Sequence, residues 1–147
     1  MTKKLAPTAL LIAGGALCIG SFMAWDWFGP PPQAGAPTAT YGMHAGGPVT
    51  LVAGIIAVIS GFRCLRRGNS VGWAVACLGT LALGLLVTVR SFQLDSRVPR
   101  FGDGVQSLGN GLEICLVASV VGTVASLFLV ITAMAGDATI EVPAATG

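Results

Sequence analysis

Four long apolar segments constrain this chain more than any other feature of its sequence. Charged residues lie outside these segments or within two residues of their ends; the segments cover residues 5–25, 48–65, 71–90 and 111–135. A helix that crosses the hydrocarbon core of a bilayer, about 30 Å thick, needs about 20 apolar residues. Because hydrocarbon offers no partner for a backbone amide, such segments must be helical. The sequence therefore predicts an all-α fold, an integral membrane four-helix bundle that forms a single domain over residues 1–147.

The composition is typical of a membrane protein and excludes an ordinary soluble domain. Charged residues make up 10% of the chain and hydrophobic residues 54%, whereas a soluble domain carries about 25% charged residues. The strands of a membrane barrel would alternate apolar and polar residues, and these segments do not. Lys3 and Lys4 would suit the start of a signal peptide, but the apolar run after them is too long and lacks a small-residue cleavage motif. We predict an uncleaved first helix.

The basic residues predict the orientation of the bundle. Lysines and arginines concentrate at the amino terminus and in the turn between the second and third helices. The positive-inside rule makes this side cytoplasmic, so both termini face the cytoplasm and residues 26–47 and 91–110 form two outer loops. The arginine cluster at residues 63–67 is predicted to orient the chain and to contact phospholipid headgroups. The small size and the abundance of Gly and Ala are typical of a bacterial cytoplasmic (inner) membrane protein.

Aromatic residues cluster where the first helix enters its outer loop. They suit an aromatic belt at the membrane interface, followed by a stiff proline run. The alternative is a platform for a partner outside the membrane. The candidate platform comprises Trp25, Asp26, Trp27, Phe28 and Tyr41.

Small residues recur every four positions along the helices, most regularly on the third. Helices in lipid associate through close packing of such residues. A spacing of four residues drifts by about 40° per step around a helix, so a stripe of this kind suits a tight crossing over a few turns. The same stripe serves packing within the bundle or between subunits, and the spacing does not separate the two uses. The candidate packing residues are Gly72, Ala76, Thr80, Gly84 and Gly122.

Glu113 and Arg90 form the candidate polar site. A carboxylate within a membrane often marks an ion path, but Glu113 lies near the start of the fourth helix, where Asn110 and Glu113 match a capping box with Asn as the cap. The third helix ends near Arg90, so the hairpin brings the two charges to the same side and an ion pair is expected. Helix capping or pairing is one role, and proton or cation handling is the alternative.

Motifs for catalysis, metal binding or nucleotide binding are absent from the sequence. His44 is the only histidine, and the four cysteines fall one to a helix without a Cys-x-x-Cys motif. Such cysteines are expected to be small apolar core residues. No glycine-rich phosphate loop or basic stripe indicates nucleotide or nucleic-acid binding. We therefore predict no catalytic, cofactor-binding or metal site, and no enzyme activity.

The Trp25-Asp26-Trp27 segment after the first helix and the two outer loops resemble the claudin-like four-helix plan. Paired loop cysteines of claudins are missing, so this resemblance implies architecture and no activity. Small multidrug transporters also have four helices, but the glutamate in the middle of their first helix has no counterpart in Ala13–Cys18. The whole chain is similar to small four-helix membrane proteins of actinobacteria, which likewise implies no activity.

These features predict a non-enzymatic membrane protein. It would be an accessory or scaffolding subunit of a larger membrane complex, or a homo-oligomer that packs through small-residue faces. Its expected partners are the lipid bilayer and another membrane protein or a second copy of the chain, and no nucleic acid. The alternative is a small oligomeric transporter or channel that uses Glu113 and Arg90.

Overall fold

The computed structural model describes residues 4–28, 38–44, 46–68, 70–97 and 106–137. Within these residues it contains four α-helices and three short strands, with a turn of 3-10 helix at Gly42–His44. The helices are α1 (Leu5–Phe22), α2 (Gly47–Arg67), α3 (Val71–Arg97) and α4 (Asn110–Asp137), and the strands are β1 (Ala24–Phe28), β2 (Thr38–Tyr41) and β3 (Gln106–Leu108).

The prediction of four apolar helices is confirmed. Each of the four helices is long and apolar enough to cross a membrane. The helix ends differ most from those expected in two places. The first helix ends at Phe22, so Trp25 lies in a strand and not in the last turn of a helix. The third helix continues past Arg90 to Arg97.

The helices pack in a ring in which α1 and α3 each contact both α2 and α4. The centre of this ring is filled by leucines and small residues that are almost completely buried. Apolar side chains also cover the outside, among them Ile12, Ile55 and Leu86, which are all more than a third exposed. A soluble bundle would place polar residues on that outer face, so the surface suits contact with lipid.

The three strands form one antiparallel sheet in the order β2-β1-β3. Trp27 pairs with Ala39 on one side and with Ser107 on the other, so β1 joins the two loops that the sequence assigns to the outer side. The sheet lies where α1 ends and where α2 and α4 begin. This end of the bundle is called the sheet end below. The sheet is an addition to the fold expected from the sequence.

The opposite end holds the short turn between α2 and α3. Gly68 there has a positive φ of 86°, a conformation that a residue without a Cβ adopts at no steric cost. Its N–H donates a hydrogen bond to the carbonyl oxygen of Cys64. Arg66 and Arg67 occupy the last turn of α2, where positive charge suits the helix dipole. This end is called the arginine end.

Candidate functional site

Trp25 is enclosed at the sheet end of the bundle. Its side chain is 1% exposed, and its indole Nε1–H donates a hydrogen bond of 3.0 Å to the carbonyl oxygen of Gly20. A Cβ on Gly42 would collide with this indole, and a Cβ on Gly46 would lie 3.2 Å from its Cζ3. Glycines therefore make room for the ring.

This position bears on the alternative role of Trp25, in an outer platform. A ring that fills the end of the bundle offers no surface to a partner, so Trp25 does not belong to an outer platform. Tyr41 is 52% exposed and remains available. The side chains of Asp26, Trp27 and Phe28 lie outside the described residues, so their share in a platform stays a prediction.

Two hydroxyl groups connect α1 and α2 close to Trp25. The Oγ atom of Ser21 and the Oγ1 atom of Thr50 lie 2.7 Å apart, and both residues are completely buried. Each hydroxyl also lies within hydrogen-bonding distance of a carbonyl oxygen of its own helix, that of Leu17 for Ser21 and that of Gly47 for Thr50. The hydroxyl groups of Ser21 and Thr50 are thus satisfied within the bundle, and neither is charged.

Glu113 and Arg90 both lie on the surface. Glu113 occupies the first turn of α4, where a negative charge suits the helix dipole. It borders a groove of about 410 Å³ between α1 and α4 that is otherwise lined by apolar residues such as Ile12 and Val117. Among the described side chains, no ion pair joins Glu113 to Arg90. The structure therefore does not bring the two charges together, and their role stays a prediction.

The small residues expected at helix contacts separate into two groups. Gly84 faces α2, where a Cβ would lie 3.4 Å from the Cβ of Ala53, and a Cβ on Gly122 would lie 3.1 Å from Leu81 on α3. Gly72 has no neighbouring atom within 4 Å of a Cβ position, and Ala76 is exposed. Thr80 is half-buried, and its Oγ1–H donates to the carbonyl oxygens of α3 itself. The drift of a four-residue spacing thus carries the stripe from the outside of α3 into the bundle.

A second spacing keeps to the outside of α3 along most of its length. Exposed residues alternate at intervals of four and three, which holds them on one helix face. Like Gly72, Gly79 has no neighbouring atom within 4 Å of a Cβ position. Gly79 was not expected on this face, because the four-residue interval alone passes over it. We call this set the outer α3 face; it consists of Gly72, Ala76, Gly79, Leu83 and Leu86.

Arginines and aromatic rings form a groove at the arginine end. The guanidinium carbon of Arg63 lies 5.3 Å from the centre of the Trp73 ring, and that of Arg66 lies 4.3 Å from the centre of the Phe62 ring. The groove has a volume of about 400 Å³. We call it the arginine groove; its lining is Val58, Ile59, Phe62, Arg63, Arg66, Arg67 and Trp73. The arginines were expected from the sequence, but Trp73, which α3 brings beside them, was not.

The cysteines are free thiols dispersed among the helices. Cys77 and Cys115 are buried, and Cys18 and Cys64 are half-buried. Ser126 donates a hydrogen bond of 3.5 Å to the sulfur of Cys77. Within the residues that the structure describes, no group of three His, Cys, Asp or Glu side chains is close enough to hold a metal ion.

Comparison with known proteins finds no relative of this chain. The chain matches no protein-family model, no curated protein and no solved structure. The architectural resemblances drawn from the sequence therefore stay predictions, and any function rests on the surfaces described above.

Proposed function

We propose that this chain is a non-enzymatic integral membrane protein that crosses the bilayer four times and acts as an accessory or scaffolding subunit. Its partner is a helix of another membrane protein or of a second copy of the chain, and this helix packs on the outer α3 face. Support for the membrane placement comes from four helices of sufficient length and hydropathy and from the apolar side chains on the outside of the bundle.

The outer α3 face is the observation that carries this proposal. Lipid-exposed helices associate where small residues let two backbones approach closely. Gly72 and Gly79 leave such room, because nothing in the described residues lies within 4 Å of a Cβ at either position. The span of α3 is also the least buried of the four, at 28% against 33–44% for the others. The helix with the most open surface thus carries the unoccupied small-residue face.

The orientation follows from the distribution of charge. With the arginine end in the cytoplasm, the positive-inside rule is satisfied, and both chain termini lie on the cytoplasmic side of a bacterial membrane. The sheet end then faces outward. Exposed Tyr41 would be part of the surface that an outer partner meets there.

Transport by Glu113 and Arg90 is the alternative function. A transporter or channel needs polar or ionisable groups along a path through the membrane. The buried polar side chains of the described residues are the hydroxyl groups of serines and threonines, without a buried charge. Glu113 is exposed in the first turn of α4, and Arg90 is exposed on α3, which continues to Arg97. These positions favour assembly over transport.

The test is a purification of the tagged protein from its native membrane in a mild detergent, with mass and co-purifying proteins measured together. The wild-type protein is expected to elute with a stoichiometric partner or as an oligomer. Gly79→Leu should abolish this association, because leucine fills the space that the partner helix needs. Gly15→Leu is the matched control, since a Cβ on Gly15 of α1 likewise meets no atom within 4 Å but Gly15 lies outside the face. A wild-type monomer without partners, or equal behaviour of the two variants, would contradict the proposal.

A further inference from the structure

We propose that the arginine groove binds one anionic phospholipid. The three arginines hold the headgroup phosphate, and the apolar lining accommodates the start of an acyl chain. The inference rests on the membrane placement proposed above, and it adds a specific lipid to the general contact with the bilayer.

The guanidinium groups are already positioned by aromatic rings. Arg63 of α2 lies over Trp73 of α3, and Arg66 lies over Phe62 one turn earlier on its own helix. A cation over an aromatic face is attracted by the ring quadrupole, so these contacts favour the positions that the two guanidinium groups occupy. A stacked guanidinium retains its N–H groups at the edge, where they match two phosphate oxygens at once.

The charge of the groove is entirely positive. Arg67 adds a third guanidinium beside Arg63 and Arg66, and among the described residues no acidic side chain lines the groove. Each basic residue close to a membrane surface attracts anionic lipid by about 1 kcal/mol. Three of them on one side of the bundle therefore favour an anionic headgroup over a zwitterionic one.

The apolar part of the lining selects a phospholipid over a free phosphate ion. Val58 and Ile59 lie one turn deeper along α2 than Phe62 and Arg63, and both contribute to the groove. Ile59 is 50% exposed, so this surface is open to an occupant. A phosphate ion would use the arginines and leave the apolar residues uncovered, whereas an acyl chain would cover them. A volume of about 400 Å³ lies within the usual range for ligand sites.

The depth of the groove agrees with this ligand. It straddles the carboxyl end of α2 and the first turn of α3, where the apolar spans end. Tryptophan prefers the membrane interface, and arginine extends its charged end towards the headgroups while its stem stays in apolar surroundings. A lipid in the groove would thus keep its phosphate at the level of the surrounding headgroups.

Fluorescence quenching by brominated lipids tests the site through Trp73. The full-length protein is reconstituted into phosphatidylcholine vesicles that contain a minor fraction of either phosphatidylglycerol or phosphatidylcholine with brominated chains. The signal of Trp73 is the difference between the protein and its Trp73→Phe variant. Phosphatidylglycerol is expected to quench Trp73 more strongly. Arg66→Gln and Arg67→Gln should each lower this preference about fivefold.

Lys4→Gln is the matched control, because it removes one exposed positive charge at the same end of the bundle but outside the groove. It should leave the preference unchanged. Equal quenching by the two lipids, or an equal loss in Lys4→Gln, would overturn the lipid site. Loss of the preference in inorganic phosphate, relative to chloride of the same ionic strength, would assign the groove to a free anion and also overturn it. If neither lipid quenches any tryptophan, the membrane placement itself fails.

Discussion

Gly14 of α1 faces Gly54 of α2 where these two helices cross. A Cβ on Gly14 would lie 2.7 Å from the carbonyl oxygen of Gly54, and a Cβ on Gly54 would lie 2.8 Å from the carbonyl oxygen of Gly14. Either side chain would therefore force the two backbones apart. Close approach of this kind is the main source of association between helices in lipid, so this reciprocal contact fixes the α1–α2 pair.

The first prediction concerns this crossing. Gly54→Ala should lower the free energy of unfolding in detergent by about 1–3 kcal/mol, the usual cost of an extra carbon in a well-packed contact. Thermal unfolding followed by circular dichroism measures the effect. Gly15→Ala is the control, because a Cβ at Gly15 meets no atom within 4 Å. Equal stability of the two variants would show that the α1–α2 crossing is looser than described.

Ser21 and Thr50 provide the second prediction. Their hydroxyl oxygens lie 2.7 Å apart between α1 and α2. Each can also donate to a carbonyl of its own helix, so the bond between them adds little strength. A double-mutant cycle with Ser21→Ala and Thr50→Val should give a coupling free energy of about 0.6 kcal/mol, the average for such pairs in membrane proteins. Strictly additive losses of stability would mean that the two hydroxyls do not interact.

The helices could be predicted from the sequence because hydropathy and length are local properties. The sheet could not, because its strands contain only five, four and three residues. Such short strands show no reliable alternation of apolar and polar residues. The pairing of Trp27 with Ser107 also joins strands that are far apart in the sequence. The Gly14–Gly54 contact was missed for a similar reason. It depends on how two helices rotate towards each other, which the spacing within one helix does not determine.

The candidate surfaces were predictable to different degrees. Residue type alone identified the arginines at the end of α2, because positive charge at the end of an apolar span orients a membrane helix and lies at the headgroups. Placing Trp73 beside Arg63 required the fold of the turn between α2 and α3. Trp25 was misplaced because a tryptophan after a membrane helix suits both an interfacial belt and a buried plug. The glycines at the sheet end distinguish the two positions, because they leave the space in which the Trp25 ring is buried.

The third prediction tests the buried position of Trp25 with the variant Trp25→Phe. Phenylalanine keeps an aromatic ring but loses the N–H group that donates to the carbonyl oxygen of Gly20. That oxygen still accepts a hydrogen bond from the N–H of Met23, so it is not left unpaired. We expect a loss of about 1 kcal/mol for the hydrogen bond, measured by thermal unfolding in detergent. Trp73→Phe, at a ring that is 39% exposed, should cost less. The reverse order would contradict the buried position of Trp25.

The fourth prediction uses Glu113→Gln to distinguish a structural role of Glu113 from a role in an ion path. Glu113 is exposed in the first turn of α4, where its charge interacts with the helix dipole by about 0.3–1 kcal/mol. The variant should therefore lose at most this much stability and should keep its assembly state, as measured by size-exclusion chromatography with light scattering. Ion or substrate flux in liposomes that the wild type supports and the variant abolishes would favour the transporter alternative.

The last prediction uses the two groups of small residues on α3. Gly84 accepts a Cβ at 3.4 Å from Ala53, an ordinary contact, so Gly84→Ala should be tolerated or slightly stabilising because alanine favours a helix by about 1 kcal/mol. Gly84→Leu should destabilise the bundle by about 1–3 kcal/mol, because leucine extends into α2. Gly72→Leu should not lower the stability of the isolated chain, because no atom lies within 4 Å of a Cβ there, and it should reduce only the association with a partner. Thermal unfolding and particle mass, measured on the same samples, distinguish the two effects. A loss of stability in Gly72→Leu as large as that in Gly84→Leu would place both glycines inside the bundle and remove the basis for the outer α3 face.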